Sequence, residues 1–170
     1  MAIRLTRRNF LRAAPIAAAV SLSHPERLFA ATQVATPETF HLFTAAELAH
    51  KEATLAAAPG NDNLLDPKSI PLAIVMTTEK TKSAKEFEWH EGRDHIVQIL
   101  DGATLYEVGG TPKGGHSSKP SEWNSPESTG ATTYTLKKGD MLLIPRNTPH
   151  KRTTADSVTF LLISSSGMVM

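Results

Sequence analysis

Apolar positions along this chain change their period once. From Ala45 to Ala56 they recur at helical spacing, as Ala45, Leu48, Ala49, Leu55 and Ala56. Thr44-Ala-Ala-Glu47 just ahead is a capping box, with a hydroxyl at the N-cap and a carboxylate three residues on. Ala58-Pro59-Gly60 stops the pattern. One amphipathic helix of about four turns is expected there, packed on the outside of the domain that the rest of the chain forms. After a loop at Asn61–Asp66, short β-branched and alternating runs take over: Pro71–Thr78, Phe87–His90, Ile96–Leu100, Ala103–Val108, Thr132–Leu136, Met141–Ile144 and Val158–Ile163. Turn residues separate them, at Glu91–Asp94, Asp101-Gly102, Gly109-Gly110, Lys138–Asp140 and Pro145–Pro149. Seven or eight short strands at this spacing predict an all-β sandwich or small barrel. Gly109–Gly130 has no periodicity and is long for a loop in a compact domain. It reads as a surface insertion, or as a rim over the barrel mouth that would contribute Trp123 or His116.

Strand parity picks out candidate chemistry. Glu88 and His90 are two apart, so both face one side, roughly 7 Å apart at Cα; Phe87 and Trp89 face the other. His95 opens the next strand and shares its face with Val97 and Ile99. His150 follows Pro149, which restricts the backbone just before the imidazole. Three imidazoles and a carboxylate at strand ends are a donor set for one divalent transition metal ion; Mn, Fe, Zn, Ni and Cu all accept it. Glu88 could instead pair with Arg93 or Arg152. Glu91 is a second choice of carboxylate, on the wrong parity. Val97, Ile99 and Leu142 or Ile144 would wall the pocket. Arg93, Tyr106, Arg146 and Arg152 are candidate contacts for a small ligand, with Arg152 on the parity of His150. Tyr106, His116 and Arg152 are the catalytic candidates. Asp140 is expected to cap its own turn.

Length, charge and the N-terminus change the setting. The chain has 170 residues, enough for one domain, and no cysteine, which excludes thiol catalysis and thiolate metal sites. Thr6-Arg7-Arg8-Asn9-Phe10-Leu11-Arg12 precedes a short apolar run, Ala13–Leu22, and small residues follow at Ala30 and Ala31. This resembles a bacterial twin-arginine export signal. It implies residues 1–30 as the signal, with Arg7 and Arg8 read by the export machinery, cleavage near Ala30 or Ala31, and a periplasmic product. The run is too short to span a bilayer, so no stable membrane anchoring is expected. Residues 1–30 hold five of the 18 basic residues and one of the 17 acidic ones. What remains is net acidic, and no basic patch points to nucleic acid. Twin-arginine export carries folded proteins, so the compartment of folding can decide which metal is loaded.

The two ligand-bearing segments resemble the motifs of the cupin superfamily. Glu88-x-His90-x4-His95-x6-Gly102 matches the spacing of the first motif, with Glu88 where the family has its first His and His95 where it has Glu. Gly139-x5-Pro145-x-Asn147-x2-His150 matches the second, with Asn147 in the turn-glycine place and Thr154 in the final Asn place. The resemblance covers residues 70–165. It implies a cupin-type double-stranded β-helix, a jelly-roll barrel over residues 70–170, after an arm and helix at 31–69. It implies Glu88, His90, His95 and His150 as metal ligands and a homodimer paired through exposed strands. In function it implies a metalloenzyme on a small molecule, of oxygenase, decarboxylase, lyase or isomerase type. The alternatives are a non-catalytic periplasmic pocket for a small ligand or a metal, and a metal-free barrel using His95 as general base for sugar epimerisation.

Overall fold

The computed structural model describes residues 40–66 and 70–167. The stretch read as an export signal, its expected cleavage point near Ala30 or Ala31 and most of the N-terminal arm lie outside the described residues.

The capping box forms as expected. Glu47 N–H donates to Thr44 Oγ1 at 3.2 Å, and Thr44 N–H donates back to Glu47 Oε2 at 2.9 Å. Helix α1 runs Ala45–Ala57. It packs against strands β1 (Gly60–Leu65) and β2 (Leu72–Ser83) and buries only Leu55. The alanines of the stripe are too short to reach the sheet beneath.

Nine further strands complete the domain. They are β3 (Phe87–His90), β4 (Arg93–Val108), β5 (Thr111–Lys113), β6 (His116–Lys119), β7 (Glu122–Ser125), β8 (Glu127–Thr129), β9 (Thr132–Lys137), β10 (Met141–Ile144) and β11 (His150–Ser166). All pairings are antiparallel. β11 is the axis of the sheet, with β2 and then β3 on one edge and β4 on the other. β4 in turn carries β10 along its first half and β9 along its second. β3 continues the sheet outward through β7 to β6. Two long central strands, each flanked by shorter ones in succession, make the jelly-roll arrangement of a double-stranded β-helix. The all-β class and the single helix are as the sequence implied.

Three elements differ from the sequence reading. Gly60, read as part of the helix stop, and residues 61–65 of the expected Asn61–Asp66 loop form edge strand β1, whose backbone pairs with β2. Its burial alternates from Gly60 to Leu64, but the first positions are polar: Asn61 bonds Thr77 and Asp62 bonds Lys51 instead of entering a core. Ile96–Leu100 and Ala103–Val108, read as two strands, are one strand with a bulge. Ile99 to Gly102 spans three residues against the two from Phe160 to Val158. The inward set switches there from His95, Val97 and Ile99 to Thr104 and Tyr106. Gly102 is required: its φ is +72°, and a Cβ would lie 2.2 Å from Ser157 O. The aperiodic 109–130 stretch contains β5 to β8, and β7 pairs with β3 residue for residue.

The core is Val97, Ile99, Tyr106, Leu136, Ile144, Val158 and Phe160, with Val108, Leu142 and Leu162 against it. Asp140 accepts from Lys137 N–H at 2.9 Å and so caps its turn.

Candidate metal centre

His90 ends β3, His95 is the third residue of β4, and His150 begins β11. Each is about 6% exposed. One ring nitrogen from each lies within 4.8 Å of the others. The turns that deliver them are tied together. Asn147 sits at φ +62°, the left-handed region that Asn tolerates, and its N–H donates to His90 O at 2.8 Å. Gly109 N–H donates to Pro149 O at 2.7 Å, clamping the other side of the turn.

Every imidazole has its Nδ1 engaged by the protein. His90 Nδ1 lies 2.6 Å from Glu122 Oε2, His95 Nδ1 is 2.8 Å from Ser164 Oγ, and His150 Nδ1 is 2.9 Å from Thr148 O. The carbonyl can only accept, so His150 carries its proton on Nδ1. The same tautomer at His90 is set by the carboxylate. Arg93 Nη2 is 2.8 Å from His90 Nδ1, yet two donors cannot bond each other; both converge on Glu122, which Arg93 reaches at 2.7 Å. Nε2 is then the free nitrogen at His90 and His150, and Ser164 holds the His95 ring by the same outer atom. Fixing a ring by its outer nitrogen is how metal-ligating histidines are oriented.

Burial disfavours charge on two of the three rings. His95 is held down at about 3, mainly by desolvation, with the imidazoles of His90 and His150 adding repulsion. His150 is lowered as well, by burial first, against the opposing pull of the Thr148 carbonyl and Glu88. Three imidazoles whose nitrogens gather this closely are a donor set that fits a divalent first-row ion.

Glu88 is not gathered into the three-histidine cluster. It faces His150 across the β3–β11 pair, with Oε1 3.6 Å from His150 Nε2, and is more than half exposed at the cavity. Glu91 points elsewhere, accepting from Trp123 Nε1 at 2.8 Å. Arg93 is committed to Glu122, and Arg146 forks onto Asp94, holding that carboxyl well below its usual range. His116 is exposed on β6, 3.8 Å from Glu86, away from the imidazoles. His41 and His50 are also exposed and outside the cluster. Arg152 and Tyr106 do reach the site. Both line a cavity of about 360 Å³ that opens beside His95 and His150, between the apolar walls Val97, Ile144 and Leu162. Thr154, in the motif's final Asn place, is buried beneath and donates to Glu79 at 2.7 Å.

The functional residue that sequence reasoning missed is Glu122. It lies in the stretch read as an insertion. Glu-Trp-Asn-Ser at 122–125 is a short alternating run that could have been matched to Glu-Trp-His on β3. The structure pairs His90 with Glu122 and stacks Trp89 on Trp123, centroids 5.9 Å apart.

No family model matches this sequence, and no curated protein matches it. Among solved structures, the chain is similar to a cupin-like protein from Thermotoga maritima, at 16% identity over 62% of this chain and 66% of that one, with a TM-score of 0.45. It is similar to a conserved protein with a double-stranded β-helix domain from Klebsiella pneumoniae, at 13% identity over 64% and 77%, with a TM-score of 0.45. A cupin 2 conserved barrel domain protein from Rhodopseudomonas palustris matches at 15% identity over 65% and 62%, with a TM-score of 0.44. The neighbours are cupin-like; the fold of this chain is read from its own strand pairings.

Proposed function

We propose that this chain is a metal-binding cupin, exported through the twin-arginine route, that acts as a mononuclear metalloenzyme on a small molecule. The observation that carries this reading is the set of three buried imidazoles, each held by its Nδ1. His90, His95 and His150 would hold the ion. Glu88, beside His150, is the carboxylate available as a fourth ligand. A bound ion would supply Lewis-acid polarisation and orientation of the ligand. The chain's own residues shape the site. Val97, Ile144 and Leu162 give the cavity apolar walls, while Arg152 and Tyr106 offer it polar contacts.

Metal analysis of the purified full chain tests the reading. The wild type is expected to carry about one ion per chain, and His90→Ala and His150→Ala to lose it while remaining folded. Unchanged metal content in both variants would overturn the assignment. Arg7→Lys/Arg8→Lys should leave the protein in the cytoplasm if the export reading is right. The homodimer is proposed on the exposed outer residues of β10, Met141 and Leu143, each 60% accessible; light scattering showing a monomer at micromolar concentration opposes it.

A non-catalytic binding pocket is the second reading. It is favoured by how many cavity cations are already committed: Arg152 and Lys82 to Glu79, and Lys151 to Glu107. Full metal content without turnover of any substrate class supports this reading over the first.

A further inference from the structure

One buried network behind the cavity is not used by the metal centre. Arg152 lies 4.4 Å over the ring of Phe160, and its Nε and Nη2 each donate to Glu79 at 2.8 Å. Glu79 is fixed in turn by Thr154, itself bonded to Thr104 at 2.9 Å. This leaves Arg152 Nη1, which donates to Tyr106 Oη at 3.1 Å. A guanidinium cannot accept, so the phenol oxygen is the acceptor in that contact. Its proton must then point elsewhere, and among the described residues no acceptor lies within hydrogen-bond distance of it. Tyr106 is 2% exposed and lines the cavity that His95 and His150 also line.

We propose that Tyr106 is the cavity's built-in hydrogen-bond donor, and that the ligand is a small carbonyl or carboxylate compound whose oxygen accepts from it. Resting on the reading of this cavity as the ligand site, the proposal adds its polarity. Because Arg152 already donates to the phenol oxygen, the group Tyr106 has left to offer is its O–H, which favours an acceptor over a donor. Arg152 is a positioning residue in this arrangement, with Glu79 as its anchor. Burial raises the Tyr106 pKa, which keeps the proton on the oxygen at neutral pH. The lining charges do not restrict the ligand to an anion. Four cations (Lys82, Lys85, Lys151, Arg152) face Glu86 and Glu88, with Glu79 and Glu107 paired behind. Carboxylate and neutral carbonyl therefore share one recognition chemistry, and a test must separate them.

The chain has two tyrosines, which makes the test direct. Full-length protein labelled with 3-fluorotyrosine should show two ¹⁹F resonances, assigned with Tyr134→Phe. Titration with acetate and with its neutral isostere acetamide should move the Tyr106 resonance and leave that of Tyr134, which is about half exposed. Ethylammonium, which only donates, should move neither. Tyr106→Phe should weaken binding of the acceptor probes, read from the probe's methyl signal, by roughly three- to tenfold, the worth of one hydrogen bond. A response to acetate alone places a carboxylate in the site; equal responses place a carbonyl. The proposal is overturned if neither acceptor moves Tyr106, if ethylammonium moves it equally, or if a folded Tyr106→Phe binds acetate as the wild type does. The titration is run with and without metal. Failure to take up metal defeats the metal reading, while the metal-free titration still decides the role of Tyr106.

Discussion

Removing the Glu122 carboxylate should loosen the metal without unfolding the barrel. In the structure Glu122 does two things for His90. It accepts from Nδ1 at 2.6 Å, and it neutralises Arg93, whose Nη2 stands 2.8 Å from the same nitrogen. Glu122→Gln keeps an acceptor of the same shape but loses the charge, so the ring stays oriented while its basicity falls. Glu122→Ala removes both and leaves a guanidinium against the imidazole. Outer partners of this kind are worth roughly 10- to 100-fold in metal affinity. We therefore expect Gln near the lower end and Ala near the upper, or about 1.4 and 2.7 kcal/mol. The assay is competition against a chromophoric chelator at fixed pH, with thermal unfolding of the metal-free protein alongside. β7 remains paired to β3 through its backbone and the Trp89–Trp123 stack, so metal-free unfolding should shift little. Wild-type affinity in a folded Glu122→Ala protein would refute the reasoning, because nothing would then orient His90 through its outer nitrogen.

Acid should destabilise the metal-free protein early. His95 has a folded-state pKa of about 3, well below the unfolded value of about 6.5. The unfolded chain alone takes up that proton between these limits, so stability is present above pH 6.5 and is lost as pH falls towards 3, by roughly 1.4 kcal/mol per unit. His150 contributes in the same direction. Denaturant titrations at pH 7.5 and 5 should show it, and His95→Gln should flatten the dependence; equal slopes with and without His95 would contradict it. Gly102→Ala should cost at least about 2 kcal/mol, since its positive φ and the Ser157 carbonyl both oppose a Cβ; a loss below half a kcal/mol by chemical denaturation opposes the bulge account. Glu88→Gln should reduce metal affinity by about tenfold or less, well short of His150→Ala, because Glu88 stands beside the cluster. An equal loss in the two would place Glu88 among the principal ligands.

The parts of the site legible in the sequence were those set by local backbone. Parity put the run His95, Val97, Ile99 inward, because a strand of fixed pleat leaves no choice, and all three are buried; on β3 it grouped Glu88 with His90, of which only His90 is buried. The turn residues Asn147 and Pro149 marked where His150 would emerge. Contacts made between strands were harder to read. Glu122 partners His90 only because β7 lies on β3, a pairing carried by main-chain bonds that leave little trace in a Ser- and Gly-rich stretch. β1 was lost for a related reason: an edge strand of polar side chains has no apolar period to display in its sequence. Arg152 showed the opposite case. Its parity pointed into the cavity, and it is there, but only the folded chain reveals Glu79 arriving from β2 to hold it.

The bulge at Gly102 makes β4 two strands in one. Ahead of it the strand contributes His95 to the imidazole cluster; beyond it, Tyr106 to the lining of the cavity. The extra residue sets the two halves in opposite phase. An odd-length deletion ahead of the bulge would turn His95 outward, while one behind it would turn Tyr106 outward. The two contributions to the pocket can therefore be varied separately along a single strand, so the half that carries His95 could be kept while the half that carries Tyr106 is replaced.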